Sequence, residues 1–273
     1  ARKKLDPADE KAFGYLTEAL ALDKNDPYLF EAYAAEIRAK KGVVESIRLL
    51  EDNIDRFLNC FTTCGTLMNG YLQTGAYDKL EAFIPRMVLK DYWRSSLGAN
   101  WMIMKMATGY RKLGDKKYPE ALADFEAAVR VPENLEAHFL PEFSQQARRL
   151  FYIGYCRSKL GDGEGAKKAW EEALRIRRHV RFEASYNFTL MNTRYFQAFC
   201  LRGLGRNEEA DIYIRSIREF ADSSVMTGAT DQTRRHLLNL AFLGQEMNLD
   251  LFSRFDTELG ITTFAGMATS VED

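Results

Sequence analysis

LFYIGYCRSKLGDGEGAKKAWEEAL, residues 150–174, carries two helical patterns back to back. Leu150, Ile153 and Gly154 are three and four apart and share one helical face, and Ala166, Trp170 and Ala173 repeat that spacing. Gly161 follows the last periodic residue of the first pattern, where a left-handed terminus is easiest for glycine. Small residues at Gly154, Ala166 and Ala173 let two backbones approach, and Ile153 and Trp170 fill the space between. A helix–turn–helix unit with a buried Trp170 is expected. The run Gly161-Asp162-Gly163-Glu164-Gly165 is then the turn between helices. A phosphate loop needs Gly-Lys followed by Ser or Thr on a strand-to-helix turn, whereas Gly165 here precedes Ala166-Lys167-Lys168.

The same grammar recurs on both sides. Downstream it reads Ala198, Leu201, Leu204-Gly205, Ala210, Ile214 and Ile217. Upstream it reads Ile103, Met106-Ala107, Tyr110, Leu113-Gly114, Ala121, Phe125 and Ala128. Before that come Leu67, Tyr71, Gly75, Leu80 and Ile84, then Phe30, Tyr33-Ala34, Ile37, Gly42 and Leu50. Ala12, Leu16 and Ala19 look like the second helix of a pair whose first is missing. Ala19, Asn53 and Met87 lie 34 apart, but the turn glycines Gly75, Gly114, Gly161 and Gly205 are spaced by 39, 47 and 44. The extra residues fall at 130–146 and 178–190, with two more in the turn Asp115–Lys117. Pro85 should kink or end its helix. Residues 231–246 form another amphipathic pattern, 249–257 a short capping helix, and 260–273 have no clear period. The expected organisation is a helical repeat domain over 1–258 and an irregular tail over 259–273. With no β-branched alternation, no sheet is expected.

The unit at 150–174 resembles the tetratricopeptide repeat, Trp-x2-Leu-Gly-x2-Tyr, then Ala-x3-Phe and a further small residue. Each slot has a counterpart except the tyrosine, where Arg157 stands. The resemblance is strongest over 103–217 and extends over roughly 8–250. It implies an all-α, right-handed α-solenoid of stacked antiparallel helix pairs, about six repeats with irregular loops. It also implies a scaffold that holds a peptide or protein segment in a concave groove. Within 121–174, Pro132-Glu133-Asn134-Leu135 followed by a long loop and a new repeat resembles the C-terminal repeat region of certain large bacterial proteins. Those carry a β-rich, carbohydrate-associated domain upstream. This implies an alternative role as accessory region of a carbohydrate-active protein, structural or shaping its substrate entrance, with the protein's own upstream domain as partner.

Composition narrows the classes further. Of 273 residues, 46% are hydrophobic and the net charge is −1, giving no global field for nucleic acid or an anionic membrane. No stretch approaches the ~18 apolar residues of a spanning helix. Cys60, Cys64, Cys156 and Cys200 each sit in an apolar helical pattern, which suits buried thiols in a reducing compartment and a cytoplasmic protein. Cys60 and Cys64 lack the further ligands zinc needs. No metal, cofactor or catalytic motif is implied. His138, beside Glu136 and Glu142, is the one histidine kept as a candidate, and Arg175, Arg177, Arg178 and Arg181 read as a helix-terminal cluster. The half repeat at 9–22 is expected to need cover from upstream sequence or from another subunit, as in a homo-oligomer.

The groove should be lined by the face of each first helix that its second helix leaves free. Counting from the turns, that face holds Trp101, Met104, Thr108 and Arg111, then Arg148, Phe151 and Tyr155, then Asn192, Tyr195, Phe199 and Arg202. Earlier repeats contribute Tyr28, Glu31, Arg38, Thr62, Asn69 and Gln73. Aromatic and arginine residues favour recognition surfaces. The alternative is that inserted loops bury these rings as core.

Overall fold

A computed structural model describes residues 10–89, 95–135, 143–176, 184–222 and 237–242. Among them every regular element is helical and none is a strand, so the fold is all-α as expected. The chain groups into two compact units. One takes the described residues up to Met104 together with 131–135, and the other takes Lys105–Arg130 and the described residues from 143 onward.

The first unit begins with α1 (Glu10–Leu22), α2 (Pro27–Lys41) and α3 (Val43–Glu51). A 3-10 turn at Ile54–Arg56 leads to α4 (Phe61–Thr74), and α5 (Tyr77–Phe83) follows. Asp26 opens α2 by accepting from the backbone N–H groups of Tyr28 and Leu29, with Pro27 preset at the first helical position. The expected positions Phe30, Ala34, Ile37, Leu50, Leu67, Tyr71, Leu80 and Ile84 are all buried. Phe30 stacks on Phe57 at 4.7 Å, adding aromatic packing to the area buried. Pro85 has the effect expected of it, because α5 stops at Phe83 and a 3-10 turn covers Ile84–Arg86. The next helix, α6 (Ser95–Gly114), gives its residues through Met104 to this unit and the rest to the other.

The second unit continues with α7 (Tyr118–Ala127), α8 (Phe143–Lys159), α9 (Gly163–Arg175), α10 (Ala184–Gly203) and α11 (Asn207–Asp222). Trp170, 6% exposed, is its keystone. Its indole N–H donates to the Phe151 carbonyl at 3.1 Å, so the polar edge of a buried ring is satisfied. A Cβ on Gly154 would lie 2.3 Å from that indole nitrogen, and one on Gly203 would lie 2.8 Å from the ring. The ring therefore fits between α8 and α10 only because both helices present hydrogen there. Gly161 takes φ +82, the left-handed turn expected of it. Asp162 then caps α9 by accepting from Gly165 N–H at 2.8 Å.

One turn differs from expectation. Gly114 ends α6 in helical conformation, and Lys116, with φ +60, is the left-handed residue. The two extra residues of Asp115–Lys117 carry the chain reversal past the glycine, closed by Lys116 N–H to Leu113 O and Lys117 N–H to Lys112 O, both 2.9 Å. Lysine in this region carries a steric cost that glycine would not.

Of the pattern at 231–246, residues 237–242 are described and helical, with Leu237 and Ala241 buried. The capping helix at 249–257, the tail, His138, His179, His236, Arg177, Arg178, Arg181 and residues 178–183 of the insertion read at 178–190 lie outside the described residues, and 184–190 of that insertion are the start of α10 rather than loop.

Candidate functional site

The aromatic and arginine positions read as groove-lining are mostly interior. In the first unit Trp101 and Met104 are buried. In the second, Arg148, Phe151, Tyr155, Tyr195 and Phe199 are buried, Asn192 and Arg202 are half-buried, and Arg111 is exposed. The rings pack on one another. Phe151 meets Tyr152 at 4.9 Å and Phe199 at 6.1 Å, Tyr195 meets Phe199 at 5.1 Å, and Tyr155 meets Tyr118 at 6.5 Å. Arg148 lies between the Tyr110 ring (5.0 Å) and the Phe196 ring (5.4 Å), and the Arg202 guanidinium lies over Phe199 while pairing with Asp211 at 3.2 Å. Without moving this core, a ligand reaches only Thr108, Arg111, Asn192 and Arg202 of the second unit's set.

The earlier groove positions form a different surface. In the first unit they join neighbouring helices through side chains. Glu31 on α2 accepts from the hydroxyls of Thr62 and Thr63 on α4, the latter at 2.9 Å. Arg38 on α2 donates to the Gln73 side-chain carbonyl at 2.9 Å. The Asn100 side-chain amide on α6 donates to the Asn69 side-chain carbonyl on α4 at 3.0 Å. Thr62 is exposed, and Glu31, Arg38, Asn69 and Gln73 are half-buried. Gln73 Nε2 is buried with no hydrogen-bond partner, a donor that an incoming carbonyl would satisfy. Tyr28, at 76% exposure, stands at the start of the same helix as Glu31 and Arg38.

No family model and no curated protein compared with the chain matches it.

Asn100 is the member of this row that the sequence reading missed. The paired residues stand 31, 35 and 31 apart, close to the 34-residue spacing of Ala19, Asn53 and Met87. A partner for Asn69 was therefore to be sought one repeat length on.

The thiols divide by burial. Burial, with Cys60 nearby, pushes Cys64 up to about 12, and burial alone pushes Cys156 up to about 12. Cys200 is raised well above an ordinary thiol for the same reason. None of these three suits nucleophilic chemistry near neutrality. Cys60, half-buried at the start of α4, has its Sγ 3.6 Å from the Glu31 carboxylate. Among the described residues, no group of three or more His, Cys, Asp or Glu could hold a metal ion, and no helix is long and apolar enough to cross a membrane.

Proposed function

We propose that the chain is a tetratricopeptide-like α-solenoid that binds a peptide or protein segment, with the ligand on the polar row of the first unit. Equivalent contacts support the solenoid. A Cβ on Gly109 would lie 2.7 Å from Phe125, as one on Gly154 would collide with Trp170, and Ala198 and Ile214, both buried, hold the same places. Successive members of this series stand 45 and then 44 residues apart. Recurrence of a small residue against a large one at such a period is what stacked helix pairs require.

The row Glu31–Thr62, Arg38–Gln73 and Asn69–Asn100 carries the binding reading. Amide, hydroxyl and guanidinium groups held by one another across adjacent helices are pre-organised. They can meet the backbone of an extended segment at small entropic cost. Panning phage-displayed random peptides against the chain, then repeating capture with Asn69→Ala and Gln73→Ala, tests the proposal. Each substitution should weaken capture by about 1–2 kcal/mol and leave the thermal midpoint nearly unchanged. Capture indifferent to both substitutions, or no selected peptide at all, removes the row as a binding surface. Association that appears only with an upstream β-rich domain would support the accessory-region reading instead.

A further inference from the structure

One face of α2 carries opposite charges at its two ends. Tyr28, Glu31, Ala35 and Arg38 recur at three and four residues along the helix and share that face. Glu36 lies about 140° round the helix from Glu31 and belongs to another. The Glu31 carboxylate accepts from the Thr62 and Thr63 hydroxyls and, at 3.6 Å, from the Cys60 thiol. All three are uncharged donors to Oε1, so the group is held in place with its charge intact. Tyr28 stands one turn before it, 76% exposed, and Asp26, the N-cap of α2, adds a second carboxylate at this end. At the other end Arg38 supplies positive charge, with Lys40 and Lys41 in the same last turn. Arg38 is bonded to Gln73, whose Nε2 is the buried donor with no hydrogen-bond partner. Ala35, small and exposed, leaves a backbone room to approach between the two ends.

The spacing limits what can bridge them. Glu31 and Arg38 are seven residues apart, which is about 10 Å along a helix. An extended chain rises about 3.3 Å per residue, so about three residues cover that gap. A cation at the first point meets the carboxylates and the face of the Tyr28 ring. A carboxylate at the second meets the positive end of the helix and the open Gln73 donor. An anion at the first point would instead meet like charge. We propose that the polar row selects an extended polypeptide segment in which a basic side chain, arginine or lysine, stands three residues from a glutamate. The basic side chain lies over Tyr28 and Glu31, and the glutamate lies beside Arg38 and Gln73. The inference deepens the scaffold reading and rests on it.

The probes are the acetylated, amidated hexapeptide Ser-Arg-Ser-Ser-Glu-Ser and its reverse, Ser-Glu-Ser-Ser-Arg-Ser. Each is titrated into the full chain while the Gln73 side-chain amide is followed by NMR, assigned from its loss in Gln73→Ala. The one whose chain direction fits should shift that signal. Ser-Glu-Ser-Ser-Glu-Ser should bind about tenfold more weakly than it. Glu31→Gln keeps an acceptor for the threonine hydroxyls and removes the charge. It should weaken the better probe about tenfold at an unchanged thermal midpoint. Glu31→Lys should reverse the preference and take Ser-Glu-Ser-Ser-Glu-Ser above the arginine peptides. A Gln73 signal unmoved by both probes, equal binding of the doubly acidic peptide, or undiminished binding by Glu31→Gln overturns the proposal. A peptide with arginine and glutamate adjacent, bound as tightly as the spaced one, overturns the two-point assignment. If the probes fail while Asn69-dependent capture of selected peptides persists, the charge assignment alone falls. If both fail, the scaffold reading falls with it.

Discussion

Trp170 concentrates more of the fold into one side chain than any position around it. Two glycines from different helices yield to its ring, and its indole N–H has a buried carbonyl partner. Truncation to alanine leaves a cavity that two rigid helix backbones cannot close, so Trp170→Ala should destabilise by about 3–5 kcal/mol in denaturant titration. Gly154→Leu should destabilise through overpacking by at least about 1–3 kcal/mol, since even its first carbon collides with the indole. A midpoint unmoved by either change would mean that the register is misassigned. The cysteines offer a second reading of burial. At pH 8, iodoacetamide should label Cys60 first, while Cys64 and Cys156, raised to about 12, and Cys200 should react only as the chain unfolds. Mass mapping of early adducts to Cys64, Cys156 or Cys200 would contradict that order.

At the scale of the element, most of what the sequence made legible was local geometry. The pairs around Gly75, Gly161 and Gly205 were readable because a left-handed glycine after an apolar stripe leaves few alternatives, and all three have positive φ. Gly114 misled because glycine is also permitted inside a helix, and the residue that reversed the chain was a lysine. Cross-helix polar networks were less legible, since charged residues at a helix end fit many partners. Glu51, at the end of α3, is one case. Partial burial raises its carboxyl, but hydrogen bonds from Lys79 and Tyr71 and the charges of Lys79 and Arg48 outweigh this and leave it lowered from 4.5. Its folded pKa being depressed, Glu51 stabilises the fold above about pH 4.5, and that contribution is lost as pH falls through the lowered value. Glu51→Gln should therefore reduce stability at pH 7 and flatten the acid limb of the stability–pH profile. A parallel loss at every pH would argue for packing alone. The cap at α9 is simpler: Asp162→Ala removes the acceptor of Gly165 N–H and should cost about 1 kcal/mol.

Across the whole molecule, the sequence marked the helix face that a partner helix leaves free, but not what else that face would meet. Tyr28, Glu31, Arg38, Thr62, Asn69 and Gln73 remain half-buried or exposed, whereas Phe151, Tyr155, Tyr195 and Phe199 pack on other rings of the same unit. Aromatic content favours recognition surfaces and cores alike, so composition could not separate the two. Substitution can. Arg148→Ala empties the space between the Tyr110 and Phe196 rings, and Tyr155→Ala removes a ring that is 6% exposed. Each should lower the thermal midpoint, by about 3–5 kcal/mol in stability for the tyrosine and about 1–2 for the arginine, with peptide capture falling only as the folded fraction falls. Asn69→Ala and Gln73→Ala should do the reverse, holding the midpoint and weakening capture. Midpoint and capture measured together on all four variants would place the ligand. If Tyr155→Ala keeps the midpoint and abolishes capture, the second unit's rings are the binding surface, and their burial describes a closed form that a ligand opens.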